Sequence, residues 1–199
     1  TLRDLRATGD QIHSIEAVLS GTLSYIFNTF CASDRPLSQI VREAKELGYT
    51  EPDPRDDLSG LDVVRKILIL ARENGMPLEL SGVRVEQILP KNCFEASSVE
   101  EFFTTLERLD SLFDAKRTEA RAQGAVLRCI AKIAHDGEAS LALRSVDAKN
   151  PFSTLAGSDN MIVFRTDRYS QTPLVIRGPG AGAAVTAAGV LADILKTVR

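Results

Sequence analysis

The fold is decided by Gly48-Tyr-Thr-Glu-Pro-Asp-Pro-Arg-Asp-Asp-Leu-Ser-Gly-Leu-Asp-Val-Val-Arg-Lys66. Its first half is rich in acids and contains Pro52 and Pro54, whose rings fix backbone angles. We therefore predict a stiff acidic loop over residues 49–57. The second half opens an apolar segment, which predicts one long helix over residues 58–74. Because that segment is apolar on most sides, we expect the helix to be buried.

Two charges interrupt this apolar segment, Asp62 and Lys66. They are four residues apart and therefore share one helix face. A buried lysine needs a partner and has an easily shifted pKa, so the pair could mark a functional site. The alternative is an ordinary ion pair on a solvent-facing stripe that also contains Arg65 and Arg72. The pattern alone leaves both interpretations open.

Outward from this stretch, the chain mixes helical and strand patterns. Strands are predicted over residues 11–19, 85–89, 126–133, 139–146, 161–166 and 173–177. Further helices are predicted over residues 1–9, from Gly21-Thr22 onward, over residues 99–121 and over residues 183–198. These elements predict an α+β fold in which a mixed or antiparallel sheet is layered against helices.

Composition narrows the class of protein. The 199 residues carry a formal net charge of −3, which argues against nucleic acid or anionic lipid as a partner. No apolar run approaches the roughly 20 residues of a membrane helix, so no membrane association is expected. The 3 cysteines lack metal-ligand spacing, which predicts no metal site and reduced thiols in a cytoplasmic protein.

The quoted stretch resembles the signature of homoserine dehydrogenases. Two further segments resemble the same family, namely Leu19-Ser-Gly-Thr-Leu-Ser-Tyr-Ile-Phe-Asn28 and the tail that begins Pro173-Leu-Val-Ile-Arg-Gly-Pro-Gly-Ala-Gly182. The resemblance covers essentially the whole chain, and its details are most similar to the bifunctional aspartokinase–homoserine dehydrogenases. It implies NAD(P)H-dependent reduction of L-aspartate 4-semialdehyde to L-homoserine, in threonine, methionine and isoleucine biosynthesis.

The resemblance also implies roles for individual residues. Lys66 resembles the catalytic lysine at the reacting carbonyl, and Asp57 resembles the acid that orients substrate and water beside it. The implied substrate-binding residues are Glu51, which holds the amino group, Asp62, which supports the lysine, and Tyr49, Gly21 and Thr22, which line the site. Backbone N–H groups at the helix start could bind the substrate carboxylate. Gly21 as a mere helix boundary and Tyr49 as a packing residue remain the alternatives.

The cofactor implied by the resemblance is NADP or NAD, bound mainly by an N-terminal Rossmann domain that is missing here. Residues 1–199 would then be the substrate-binding and dimerisation domain, with residues 173–199 returning to the missing domain. The tail contains Gly178, Gly180 and Gly182, which by resemblance border the nicotinamide. A lone glycine-rich turn is a weak signal by itself, so turn and packing roles stay open for these glycines.

Other classes of function stay open as well. The chain could be an oligomerisation module that is inactive alone, part of a larger bifunctional enzyme. Strands over residues 126–133 and 139–146 have apolar faces that one small chain leaves uncovered, which predicts a homodimer through the sheet. A small-molecule-binding regulatory domain is a third interpretation, but no motif supports it.

Overall fold

The computed structural model describes residues 1–198. Its helices are α1 (Leu2–Ala7), α2 (Gly21–Ala32), α3 (Leu37–Glu46), α4 (Pro54–Leu58), α5 (Leu61–Glu73), α6 (Lys91–Phe94), α7 (Val99–Glu107), α8 (Asp110–Ala122) and α9 (Ala183–Thr197). Its strands are β1 (Ile12–Val18), β2 (Val83–Val85), β3 (Ala125–Ala134), β4 (Ala139–Asp147), β5 (Asn160–Thr166) and β6 (Leu174–Gly178). Short 3₁₀ turns lie at Leu80–Gly82 and Pro151–Thr154.

The strands form one six-stranded sheet in the order β2-β4-β3-β1-β5-β6. Every neighbouring pair is antiparallel except β2 and β4, which are parallel. The sheet is therefore mixed, and the predicted fold class of helices layered on a mixed or antiparallel sheet is confirmed. The four predicted strands after residue 124 match β3 to β6 to within one residue at each end.

The two faces of the sheet are covered unequally. On one face, alternate residues of β3 such as Leu127 and Ala131 join a large core with α2, α3, α5, α7 and α8. On the other face, Ile130 belongs to a smaller cluster formed mainly with the 3₁₀ turn Pro151–Thr154 and strand residues. Side chains alternate between the faces of a strand, so β3 carries both clusters.

The single helix predicted over residues 58–74 is wrong in two respects. The chain instead forms α4, turns at Gly60 with φ of +73°, and starts again as α5. Part of the predicted acidic loop is thus helical, because Asp53 caps α4 and Pro54 occupies its first turn. Helix α5 is also buried on one face only, since Leu61 and Ile69 are exposed.

Two other predicted elements differ from the structure. The helix predicted over residues 99–121 is divided into α7 and α8 around Arg108 and Leu109, where neither glycine nor proline marks the break. The strand predicted over residues 85–89 lies earlier, at Val83–Val85, where it pairs with the edge of β4. Pairing with a neighbour, which a local pattern does not report, sets the position of such a short strand.

Candidate functional site

A cavity of about 480 Å³ lies where α2, the acidic loop, α5 and the glycine-rich turn before α9 meet. All the predicted catalytic and substrate-binding residues line it, together with two of the three glycines. The lining residues are Ser20, Gly21, Thr22, Gly48, Tyr49, Glu51, Asp57, Asp62, Lys66, Ser158, Asn160, Pro179, Gly180, Ala181 and Gly182. The chain therefore brings residues from five separate segments around one space, the fifth being the turn that leads into β5.

The first wall of the cavity is the N-terminus of α2. Ser20 caps this helix by accepting a hydrogen bond from the Leu23 N–H, at 3.1 Å. The buried apolar residues Ile26, Phe27 and Phe30 hold the helix against the sheet. The first-turn N–H groups of Gly21 and Thr22 have no carbonyl four residues earlier within the helix, so they are suited to an anionic group.

Thr22 joins α2 to both ends of the acidic loop. Its hydroxyl lies 2.6 Å from the Tyr49 carbonyl oxygen and 2.8 Å from Asp57 Oδ1. The other carboxylate oxygen of Asp57 accepts from the Glu51 N–H at 2.8 Å. Asp57 is thus fixed from two sides, whereas the Glu51 side chain is exposed at the cavity edge. Its free carboxylate is suited to a positively charged group of a bound molecule.

Tyr49 is placed in the cavity by the end of α3. That helix ends at Glu46, the chain turns at Gly48 with φ of +74°, and the Tyr49 N–H donates to the Ala44 carbonyl at 2.8 Å. The Tyr49 ring stacks on Tyr25, with ring centroids 4.3 Å apart. Tyr49 therefore has a packing role as well as a position in the cavity wall.

Lys66 extends from α5 toward the end of β1. Its ammonium donates to the Leu19 carbonyl oxygen at 2.9 Å and pairs with Asp62 Oδ2 at 2.7 Å. Its side chain is 43% exposed and that of Asp62 is 61% exposed, so the expectation of a buried lysine is wrong. Asp62 and Lys66 form an exposed i,i+4 ion pair, which agrees with the interpretation as a solvent-facing pair. Both residues also line the cavity, as the interpretation as a functional site requires.

Arg55 connects the acidic loop to a neighbouring segment of the chain. Arg55 pairs with Asp53 and also donates to the Ala96 carbonyl oxygen, which ties the loop to the segment before α7. The hydrogen bond from Arg55 holds the pKa of Asp53 below its usual value. This anchor keeps Pro54 and the whole of α4 in place, and so keeps Asp57 near Thr22.

The three glycines of the tail lie in different places. Gly180 and Gly182 line the cavity, whereas Gly178 is the last residue of β6 and is outside the lining. The cofactor-binding role of all three stays a prediction. Six lining residues that were not among the predicted site residues are Pro179, Ala181, Ser20, Gly48, Ser158 and Asn160. The last two belong to a Gly-Ser-Asp-Asn turn, and only the pairing of β5 with β1 and β6 places it here.

Within residues 1–198, no group of three or more histidine, cysteine or acidic side chains has a geometry that could hold a metal ion. Across the same residues, each helix is too short or too polar to cross a membrane. The cavity walls offer carboxylates, one ammonium, one phenol, hydroxyl groups, the Asn160 carboxamide and backbone N–H groups. Such a set can bind and orient a small zwitterion.

Known proteins resemble this chain in sequence. The family model described as homoserine dehydrogenase matches residues 1–195. A bifunctional aspartokinase/homoserine dehydrogenase 2 of Zea mays, named chloroplastic, is 50% identical over 197 residues, which are 98% of this chain and 21% of that protein. A homoserine dehydrogenase of Schizosaccharomyces pombe is 47% identical over 202 residues, covering 98% of this chain and 54% of its own length. The chain thus spans about a fifth to a half of these relatives.

Solved structures resemble it as well. A crystal structure of a Candida auris protein of unknown function has a TM-score of 0.92 and 42% identity, and the match covers 98% of this chain and 56% of that one. A homoserine dehydrogenase from Thiobacillus denitrificans has a TM-score of 0.78 at 22% identity, over 97% of this chain and 40% of its own. The second likeness is one of fold, and it confirms the predicted fold family.

Proposed function

The chain belongs to the homoserine dehydrogenase family, and from that premise we propose that its cavity binds L-aspartate 4-semialdehyde and L-homoserine during their NAD(P)-dependent interconversion. The observation that carries the proposal is the meeting of Glu51, Asp57, Lys66 and the α2 N-terminus around one cavity. An amino acid with an aldehyde needs an acid for its ammonium, N–H donors for its carboxylate and a cation near its carbonyl oxygen. The cavity has each of these groups.

The roles follow from the contacts of each residue. Glu51 has an exposed carboxylate that no cation contacts among residues 1–198, so it is suited to bind the substrate ammonium. Lys66 is held by Leu19 and Asp62, which aims a compact positive charge at the cavity. Such a charge stabilises the oxygen that becomes negative when the aldehyde is reduced. Asp57, fixed by Thr22 and the Glu51 N–H, is suited to orient substrate and water beside the lysine.

The nicotinamide cofactor supplies the hydride when it is bound. We propose that a nucleotide-binding domain outside this chain holds most of it, and that residues 173–199 pack against that domain. Support comes from α9, in which each residue is exposed although Val190, Leu191 and Ile194 are apolar. An apolar helix without cover indicates a missing neighbour. The three tail glycines would then lie between substrate and cofactor.

This proposal is tested by Lys66→Met in an enzyme that joins this chain to its nucleotide-binding domain. We expect kcat for homoserine oxidation to fall by roughly 10²–10³-fold, the effect of removing one preorganised donor. Lys66→Arg should restore little of the lost kcat, because a planar guanidinium does not replace a compact ammonium. The chain without that domain should give no turnover.

The matched control is Arg65→Met, the neighbouring exposed cation on α5, which is outside the cavity. It should leave kcat unchanged. Because the Asp62–Lys66 pair is largely exposed, neither substitution should lower the melting temperature by much. A folded Lys66→Met enzyme with near-normal kcat would contradict the catalytic role.

A second proposal concerns assembly: we propose that two copies of the chain pair through the sheet. The sheet face opposite the helices is covered mainly by one short turn, and the edge strand β6 has Val175 and Ile176 exposed. Light scattering should give the mass of a dimer in the complete enzyme. A mass that stays monomeric at high concentration would contradict it. A cytoplasmic location also stays a prediction.

A further inference from the structure

We propose that the side-chain carboxamide of Asn160 binds the molecule that occupies the cavity, by accepting a hydrogen bond from an N–H group of that molecule. We propose also that residue 180 is a glycine because this carboxamide needs the space. The inference rests on the proposed function, since it assigns a further ligand-binding residue to the same cavity. The resemblance and the family motifs did not single out Asn160.

The position of Asn160 is fixed by the sheet. It is the first residue of β5 and pairs with Gly178, the last residue of β6, so its backbone is held on the strand side. Asn160 lines the cavity together with Thr22, Lys66 and Gly180. Asn160 therefore connects the rigid sheet to the glycine-rich turn before α9.

The reason for a glycine differs at the three positions of the turn. At Gly182, φ is +119°, a backbone conformation that other residues avoid. At Gly178, φ is ordinary and a Cβ would meet nothing within 4 Å. At Gly180, φ is also ordinary, but a Cβ would lie 2.0 Å from Asn160 Nδ2 and 2.7 Å from Asn160 Cγ. Gly180 is thus required by the Asn160 carboxamide rather than by the backbone.

The carboxamide has an unused acceptor. Asn160 Oδ1 is buried and has no hydrogen-bond partner among residues 1–198. Buried polar atoms nearly always have a partner, so an exception in a cavity indicates a group that a ligand completes. Two other polar groups of this wall already have partners: Thr22 contacts Asp57, and Lys66 contacts Leu19. A bound molecule would give Asn160 Oδ1 its first hydrogen-bond partner.

The chemistry of that partner is an N–H donor. Within the proposed function, two bound molecules supply one, namely the ammonium of the amino-acid substrate and the carboxamide of the nicotinamide ring. A carbonyl-type oxygen accepts from either group. The two sources differ in charge, because the ammonium is a cation and the carboxamide is neutral. That difference makes the source measurable.

The binding test uses Asn160→Leu and Asn160→Asp in the complete enzyme, with the dissociation constants of homoserine and of NADP measured by calorimetry. Leu has a similar size but no acceptor, so one of the two constants should rise on the order of tenfold. Asp keeps an acceptor oxygen and adds a negative charge. It should therefore retain or tighten homoserine binding if the ammonium is the donor. It should keep NADP binding to within a few-fold if the nicotinamide is the donor.

The outcomes separate the two proposals. If the unaltered enzyme binds and oxidises homoserine while Asn160→Leu leaves both dissociation constants unchanged, the inference is overturned and the proposed function stands. If the unaltered enzyme neither binds nor oxidises homoserine, both are overturned. A loss that Asn160→Asp does not restore for either ligand would also overturn the inference, since it would indicate a role in packing alone.

A stability measurement tests the Gly180 contact separately. Gly180→Ala should lower the melting temperature when Asn160 is present. In the Asn160→Ala background it should have little effect, because the closest atom that remains is Asn160 Cβ, 3.4 Å from the added carbon. Such coupling indicates direct contact. An equal loss in both backgrounds would overturn the role assigned to the carboxamide.

Discussion

Helix α5 and helix α9 adjoin the same cavity, and the chain packs them very differently. Helix α5 buries Val63, Val64, Ile67, Leu68 and Ala71 against the sheet and presents Asp62 and Lys66 to the cavity. Helix α9 is also apolar, yet none of its residues from 183 to 197 is buried. This chain therefore packs one of the two helices itself and leaves the other exposed, and we propose that a neighbouring domain covers the exposed one. The apolar content of a helix does not by itself show where its partner is.

The largest difference in the free energy of unfolding should lie between alanine substitutions of Ile67 in α5 and of Ile194 in α9, whose exposed fractions are 0% and 55%. Ile67→Ala removes buried methyl groups and leaves a cavity, so it should cost about 2–5 kcal/mol of the free energy of unfolding. Ile194→Ala in this chain alone should change it by no more than ~0.5 kcal/mol. Urea unfolding of both variants measures the difference.

The same pair should behave differently in the complete enzyme. There, Ile194→Ala should become destabilising, because the nucleotide-binding domain would cover α9. If Ile194→Ala is as costly in the isolated chain as Ile67→Ala, then α9 is already packed and the contrast between the helices fails.

A smaller difference in stability should distinguish alanine substitutions of Gly60 and Gly182, the glycines that precede α5 and α9. A Cβ at Gly60 would lie 2.4 Å from Leu141 Cδ2, whereas one at Gly182 would have nothing within 4 Å. Both positions have positive φ, so both alanine variants are strained. Gly60→Ala should carry an additional packing cost of about 1–3 kcal/mol.

A double-mutant cycle isolates that additional cost. Leu141→Ala should remove most of the packing penalty of Gly60→Ala and leave the cost of backbone strain in Gly182→Ala unchanged. Additive free energies of unfolding for Gly60→Ala and Leu141→Ala would show that α5 is not held at this contact.

The smallest effect is the pH-dependent stability from the Arg55–Asp53 ion pair, which precedes α5 in the chain. Because Arg55 lowers the pKa of Asp53, the pair adds stability above the pKa of an unfolded aspartate, about 3.9. That stability is lost as the pH falls through the lower pKa of the folded state. Arg55→Met should therefore cost more at pH 6 than near pH 3, with a pH-dependent part below about 1 kcal/mol.

Asp53→Asn provides the control, because it removes the titrating group and keeps the cap. In that background the cost of Arg55→Met should depend on pH much less, because the bond from Arg55 to the Ala96 carbonyl does not titrate and only weaker charge interactions with Asp56 and Glu101 remain. An equal cost at both pH values in the unaltered chain would contradict the assignment of the pKa shift to Arg55.

The same contrast explains which features the sequence predicted. Strands β3 to β6 follow local alternation of apolar residues, and their bounds were predicted closely. The break between α4 and α5 was missed because apolar residues continue past Ser59 and Gly60, although the glycine was a signal. The break at Leu109 has no such signal. The predicted site residues near α5 came from a motif whose members are close in sequence.

Asn160 could not be predicted in this way. Its neighbours in the chain, Ser158 and Asp159, have the composition of an ordinary turn, and it reaches the cavity only through strand pairing across the sheet. Nor does the sequence show that Gly180 is constrained by a side chain rather than by its φ angle. Contacts between distant segments are properties of the packed chain, and local patterns do not contain them.

The two walls of the cavity, α5 and the glycine-rich turn before α9, are also synthesised at different times. From Asp62 to Gly182 the chain runs for about 120 residues, which a ribosome adds in roughly 6–24 s at usual rates. The side of the site that carries Lys66 can fold while the glycine-rich turn is still unsynthesised. For the first part of this interval the β3–β4 surface on which α5 packs is also still unsynthesised. The site therefore forms late in translation. A chain that is truncated before Gly182 contains Lys66 but lacks the complete glycine-rich turn that lines the other side of the cavity.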